Sequence, residues 1–340
     1  YQPVFHYYDI KYWLFSIGVI NKTLPKTNKF CNFYNVKSFN FIDIPEKEIE
    51  EYIDFIQKFY YNKNGCKYLP SKEKFITYFE SNNKKSIISL YKKDFLQAII
   101  TSRNINITLN HKTLQAYYVD NLCVHKMYRK EGIAPQIIQT HEYNQAHMNN
   151  SYQVSLFKRE GELTGIVPLT SYFTKQYKIV KNFQSVNMIN FKNLIKITDQ
   201  NISLLINFIY ENKDKFSCVI LPDISCLINL IKKETYYVYG ILDKDKLLAC
   251  YFFKDSEMIY EDDQSTEKKA LSTEKKALDF FASINTTDQN LFLNTLNNIL
   301  KKFTKEFDYL TIEYTSDNIE FVDYFSKSLQ TINSPTAYFL

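Results

Sequence analysis

Apolar positions recur at two spacings along the chain, and the changes of spacing mark its elements. Over "IPEKEIEEYIDFIQKFYY", Ile49, Tyr52, Ile53, Ile56 and Phe59 recur near helical spacing, with Pro45 early and acids in the first turn. That predicts a helix, and "SKEKFITYFES" predicts a second, capped by Ser71. Three runs follow, "SIISLYKK", "FLQAIITSRNINITL" and "TLQAYYVDNLCVH". They are rich in β-branched and aromatic residues, and "NHK" is a plausible turn between the last two. Pro135 to about Asn149 reads as a helix and "YQVSLF" as a strand.

A second half begins near Phe191. It reads as a helix over "TDQNISLLINFIYENKDKF", with Asn201 or Thr198 as cap, then a hairpin turning at "DKDK". Helix "TDQNLFLNTLNNILKKFTKEF" and strand "DYLTIEYT" follow. The order predicts an α+β fold: two similar halves, residues 1–190 and 191–340, sharing one mostly antiparallel sheet. The first thirty residues form an aromatic-rich arm without a clear period.

Composition changes this picture little. Hydrophobic residues at 45% and charged ones at 23% allow a proper core. A net charge of +5, not gathered into one tract, gives no indication of nucleic-acid binding. Six scattered cysteines without a C-x-x-C pair fit a reducing cytoplasm, and no zinc spacing is present, so no metal is expected. No apolar stretch approaches the roughly 20 residues of a membrane helix, because the best, "CVILPDISCLINLI", is broken by Pro222 and Asp223. No signal peptide is evident, although the chain opens on Tyr1 rather than Met. The tandem "STEKKALSTEKKAL" reads as a duplication in a surface loop.

The chemistry concentrates in "VDNLCVHKMYRKEGIAPQII", a strand, a basic turn and a helix start. Arg129, Lys130, Glu131, Gly132, Ile133 and Ala134 fit R-x-x-G-x-A. Gly132 permits positive φ or close approach of a ligand. The two basic side chains and the amides opening the helix suit a pyrophosphate. Pro135 sits in the first turn, where its missing N–H costs nothing. By itself the hexapeptide is weak, since a basic loop before a helix is common.

The flanking strand adds specificity. Leu122-Cys123-Val124-His125-Lys126 and Ala134-Pro135 resemble, letter for letter and at the same spacing, the F-L-C-V-H-K strand and L-A-P helix start of the eukaryotic glycylpeptide N-myristoyltransferases. "KYWLFSIGV" is similar to that family's K-F-W-x-T-Q-P-V arm. "FDYLTIEYTSDNIEFVDYF" lines up with its F-D-V-F-N-A-L-D-L-M-E-N-K-T-F segment, and "SYF" stands where R-Y-W is expected. The resemblance runs nearly end to end. It implies two GNAT-like halves and transfer of myristoyl from myristoyl-CoA, the acyl donor, to the N-terminal glycine of a protein or peptide.

It implies that the backbone amides of Asn121 and Leu122 form an oxyanion hole. Leu122, Cys123, Val124, Arg129 to Pro135, Tyr12 and Trp13 would hold CoA, while Tyr172 and Thr311 would line the peptide site. A cytoplasmic monomer is expected.

Departures accompany the likeness. The family's base is its own C-terminal carboxylate, whereas "SPTAYFL" corresponds to a strand lying before that end, so Leu340 would stop short of the catalytic position. Its Y-T-A-G becomes Phe157-Lys158-Arg159-Glu160, its acidic loop becomes the basic "YYNKNGCKYL", and Asn121 replaces Phe. The alternatives are therefore a catalytically weak or inactive relative that binds acyl-CoA or glycine-starting peptides, and a GNAT acetyltransferase. His125 reads as structural. Cys123 shares its face and reads as packing, with an acyl-cysteine as the alternative.

Overall fold

The first helix, α1 (Glu46–Phe59), forms where the sequence predicts it and buries Ile49, Tyr52, Ile53, Phe55 and Ile56. The computed structural model describes residues 24–63, 65–80, 86–148, 154–161, 168–179, 193–261, 274–321 and 330–339. The arm bearing Tyr12 and Trp13, the first "STEKKAL" copy and Leu340 lie outside these residues. Before α1 runs β1 (Val36–Asn40), and after it β2 (Asn62–Lys63), β3 (Cys66–Tyr68) and α2 (Lys72–Glu80). Ser71 accepts the Lys74 N–H at 3.4 Å, the expected cap.

Next come β4 (Ile87–Lys92), β5 (Leu96–Leu109), β6 (Lys112–Val124), α3 (Ile133–Met148), β7 (Ser155–Glu160) and β8 (Thr170–Lys178). The second half contains β9 (Leu194–Lys196), α4 (Ile202–Asn212), β10 (Cys218–Leu221), α5 (Ile224–Lys232), β11 (Tyr236–Asp243) and β12 (Lys246–Tyr260). It ends with β13 (Lys275–Asn285), α6 (Gln289–Phe303), β14 (Tyr309–Glu313), a 3-10 turn at Ser316–Phe321 and β15 (Gln330–Phe339). Both predicted hairpin turns carry left-handed residues, Asn110-His111 and Lys244-Asp245.

Among the described residues, fifteen strands make one mixed sheet. Its ladders are antiparallel except at two joints, β6 with β7 and β13 with β14, each bridged by a crossover helix. The strand–helix–strand crossover thus occurs twice, once before residue 190 and once after it. The halves also exchange strands: β15 lies between β7 and β8, β10 pairs β5, and β3 pairs β12. One core packs β12, β13 and β14 against α6 through Phe253, Leu278, Phe280, Phe292, Leu296 and Ile299. Another packs α1 and α2 against β4 to β6.

"CVILPDISCLINLI" is broken at Pro222 and Asp223, as expected, into β10 and α5, and Leu227, Leu230 and Ile231 of α5 are buried. One expectation needs correction. The second "STEKKAL" copy is not all surface loop, because Lys275–Leu278 begin β13 and Ala277 and Leu278 are fully buried. Apolar Ala-Leu after paired lysines suits a strand entering the sheet.

The two parallel joints differ beyond their last paired residues. Past Phe280 and Ile312, β13 and β14 part, and the 3-10 turn fills the space between. Ser283 N–H donates to Ser316 Oγ at 3.0 Å, and Asn285 N–H to Asp317 Oδ2 at 2.7 Å. Fully buried Asn318 donates to the carbonyls of Phe280 (3.1 Å) and Glu313 (2.9 Å), and accepts from Ser283 Oγ at 2.6 Å. Replacing Asn318 by Ala strands two buried carbonyls, so the variant should lose about 2–4 kcal/mol of stability, read as a lower urea midpoint at unchanged slope.

Candidate functional site

In the first half the corresponding space is lined by strand edges. Tyr117 N–H donates to the Val154 carbonyl at 2.9 Å, and the ladder holds only Tyr117↔Ser155 and Tyr118↔Leu156. No register pair joins residues 119–124 to 157–160 among the described residues. There β7 pairs β15 on its other side, Phe157↔Phe339 through Glu160↔Thr336. The edge of β6 thus lines a gap for roughly 20 Å of strand.

Within that stretch β6 bulges: Thr101 faces Asp120 and Ile99 faces Cys123, so Asn121 and Leu122 together oppose Ile100. Asn121 has φ 51°, and its side chain donates to Thr101 Oγ1 at 3.0 Å. Its N–H donates to Asp120 Oδ1 at 2.8 Å.

Helix α3 starts where β6 ends. Lys130 and Gly132 both have positive φ, 72° and 77°, and turn the chain into the helix. A Cβ on Gly132 would meet only Gln136 Nε2 at 4.0 Å, so glycine serves conformation rather than space. Pro135 is the third helical residue, leaving the amides of Gly132, Ile133 and Ala134 at the helix start. The helix is anchored by Ile133 and Ile137 on Tyr91, Ala98 and Ile100. Polar contacts add to this: Ser89 Oγ lies 2.7 Å from His141 Nδ1, and Gln145 donates to Ser155 at 2.9 Å. Burial pushes the His141 imidazole down to about 3, so it is neutral.

A polar trough leads from the gap across the sheet. Residues paired in register share a face, and alternation extends that face along each strand. The pairs Arg103↔Tyr118, Lys158↔Tyr338, Thr336↔Tyr172, Glu313↔Thr174, Thr311↔Gln176, Asp279↔Thr311 and Lys254↔Asp279 therefore line one surface. The opposite face of β14 carries Leu310 and Ile312 into the core. Tyr172 donates its hydroxyl to Glu313 at 2.5 Å, and Lys158 Nζ lies 2.9 Å from the same carboxylate. Burial raises Glu313, but Lys158 and Lys254 more than offset it, and the carboxyl ends below its usual range. Burial pushes Asp279 up to about 7, only partly relieved by Lys254 at 3.9 Å.

The predicted residues divide accordingly. Asn121, Leu122, Cys123 and Val124 lie along the gap, and Lys130 to Pro135 lie at the helix start. Tyr172 and Thr311 lie on the trough face without meeting, because Thr311 pairs with Gln176, four residues along β8 from Tyr172. Arg129 sits in the turn, but its guanidinium donates to the carbonyls of Val124, at 3.1 Å, and Phe59, which ties the turn to α1. His125 accepts the Met127 N–H at 3.3 Å and packs on Phe59, as a structural histidine does. Cys123 is 2% exposed and burial pushes its thiol up to about 12, which makes it a poor nucleophile.

Sequence reasoning missed Arg103, Asp120, Glu313, Asp279 and Lys254. The available signal was alternation, as in Leu310-Thr311-Ile312-Glu313, where every second residue is polar. Two depressions lie outside the gap and trough. One of about 410 Å³, beside Gln136, is lined by Lys29, Phe30 and Asn32. The other, about 250 Å³ and largely apolar, lies between β10, α4 and α5 at the opposite end of β5 and β6.

No family model and no curated protein sequence matches the chain. Solved structures do. Saccharomyces cerevisiae N-myristoyltransferase with bound myristoyl-CoA superposes with a TM-score of 0.70 at 14% identity, over 94% of this chain and 85% of that one. The likeness is one of fold. A second structure of the yeast enzyme with myristoyl-CoA gives 0.69 at 15% identity over 94% and 81%. A third, with myristoyl-CoA and inhibitors, gives 0.70 at 14% over 93% and 84%. The expected bilobed acyltransferase-like fold is the one found, in its general plan. Among the described residues no group of His, Cys, Asp or Glu is arranged to hold a metal, and no helix is long and apolar enough to cross a membrane.

Asp279 gives a pH prediction. As pH rises from 3.8 to about 7 the folded chain keeps a proton that the unfolded chain has lost, so stability falls across that window. Asp279→Asn should therefore leave stability unchanged near pH 4 and raise it above pH 7 by up to about 4 kcal/mol, measured by urea unfolding at both pH values.

Proposed function

We propose that this protein transfers a long-chain acyl group, myristoyl, from its CoA thioester to the N-terminal glycine amine of a protein. The observation that carries the reading is the parting of β6 from β7 beside the start of α3. A pantetheine arm has two amides and can hydrogen-bond to a strand edge as a further strand would. Leu122, Cys123 and Val124 offer that edge. The amides of Gly132, Ile133 and Ala134, with Lys130 beside them, offer an anion site for the diphosphate. Glu131 lies in the same turn, and Arg129 holds that turn to α1.

The amides of Asn121 and Leu122 at the bulge face the developing oxyanion, a placement that commonly contributes about 3–4 kcal/mol. Tyr12 and Trp13 would cover CoA. The trough past Tyr172 and Thr311 receives the peptide, and an N-terminal glycine, lacking a side chain, brings its amine deepest into the gap. We further propose a cytoplasmic monomer, acting without metal or nucleic acid.

Incubation with labelled myristoyl-CoA and glycine-starting peptides tests the reading. The expected product is a hydroxylamine-resistant amide at glycine, absent with N-acetylated peptide. Myristoyl-CoA should bind at least roughly 200-fold more tightly than acetyl-CoA, since each buried methylene contributes about 0.8 kcal/mol. Lys130→Ala should weaken binding about tenfold, the loss of one charge-assisted contact. Equal, weak binding of both thioesters by calorimetry would exclude a long-chain donor, and tight binding without turnover would identify an acyl-CoA carrier.

A further inference from the structure

Acyl transfer to an amine needs a proton acceptor next to the reacting carbonyl. Among the described residues, Glu313, Asp279, Glu160 and Asp120 line the gap and trough, while Glu257, which faces Tyr68 and Tyr78, is held by Ser71. Glu313 is committed to Lys158 and Tyr172. Asp279 stands on β13, five strand spacings from β6 in the sheet order, roughly 24 Å along the sheet. Glu160 is on the far wall, 3.3 Å from Lys158. Asp120 remains. Its Oδ1 accepts the Asn121 N–H at 2.8 Å, so it lies where a carbonyl oxygen bound to that amide would lie.

Its Oδ2 is 3.6 Å from Arg103 Nη1, and the side chain keeps 36% of its surface, open to the gap. Arg103 is itself fixed, its guanidinium stacked 4.6 Å from the Tyr78 ring and 4.7 Å from the Tyr118 ring.

We propose that Asp120 is the general base of the transfer, positioned by Arg103, an assignment that rests on the acyl-CoA reading of the site. The carboxylate covers the Asn121 amide. When an acyl carbonyl takes that amide, the carboxylate turns about its own side-chain torsions toward the incoming amine, with Arg103 retaining one oxygen. The ammonium gives one proton to Asp120, and the freed lone pair forms the C–N bond. The C–S bond breaks with its electron pair going to the CoA sulfur, which takes the second amine proton. Asp120 then releases its proton to water. Amide, CoA thiol and one proton are the products.

The test uses the full chain, with calorimetric titration of myristoyl-CoA and single-turnover transfer to a glycine-starting peptide. Asp120→Asn should bind myristoyl-CoA as tightly as the wild type or more tightly, because the competing charge is gone. Its transfer should slow by about 10²–10⁴-fold. The residual rate should climb about tenfold per pH unit until the amine's own pKa near 8, a dependence that the wild type does not share. The groups facing Asp120 are Arg103, Tyr118, Tyr60 and Tyr68, and all are unchanged in the variant. Asp120→Glu should recover part of the rate.

Wild-type transfer and pH profile in Asp120→Asn would overturn the assignment. Loss of acyl-CoA binding together with rate would overturn it too, making Asp120 a support of the bulge. A wild type that binds acyl-CoA but transfers nothing removes the transferase reading and the base with it, and the wild-type arm alone distinguishes that case.

Discussion

β7 gives one edge to β6 and the other to β15, but its pairing with β6 stops early: Ser155 and Leu156 pair β6, and from Phe157 onward β7 pairs only β15 among the described residues. That parting of β6 from β7 opens the sheet, and every feature of the candidate site depends on it. The edge of β6 becomes available, the bulge at Asn121 and Leu122 lies on that edge, and the turn after it delivers the first amides of α3 to the same end. The second half shows the alternative outcome of the same geometry. There the parting of β13 and β14 is closed by Ser316, Asp317 and Asn318, whose side chains supply the hydrogen bonds a neighbouring strand would have supplied. Of two like joints, one is left open and the other is stoppered.

The trough carries a cost that the core does not. Lys158, Glu313, Asp279 and Lys254 sit in the middle of the sheet, where apolar residues of similar volume would pack at least as stably. Glu313 is well compensated by a cation and a phenol, while Asp279 has its cation at 3.9 Å. A partly satisfied charged pair on an otherwise packed sheet is a local departure from the stability optimum, and such departures concentrate at functional surfaces.

Much of this was legible in the chain, and the rest was hidden for identifiable reasons. The spacing of Ile49, Tyr52, Ile53 and Ile56 specifies one helical face, and α1 buries that face. Gly132 announces a left-handed turn, and its φ of 77° is that turn. By contrast, α5 is short and apolar and comes directly after Pro222 and Asp223, so no long period reveals it. The Lys275–Leu278 segment sits inside a visible repeat, and repetition masked its strand character. Arg129 reads as a phosphate ligand because its two carbonyl partners come from β6 and α1, and only the tertiary arrangement brings them to it. Asp120 is adjacent in sequence to the amide it covers, yet a bulge is required to turn that amide toward it.

The position of β15 has a consequence for how the chain reaches this state. Residues 330–339 form an interior strand, flanked by β7 and β8 from more than 150 residues earlier. On the ribosome, the first half emerges with β7 and β8 separated by a vacant slot whose hydrogen-bonding groups stay wet until residues 330–339 arrive. Maturation is therefore late and slow by topology, since closure of so long a loop precedes any reward from the pairing. A nascent or truncated chain would expose two unpaired strand edges, a form that chaperones and proteases recognise, and only molecules with the slot filled would pass into use.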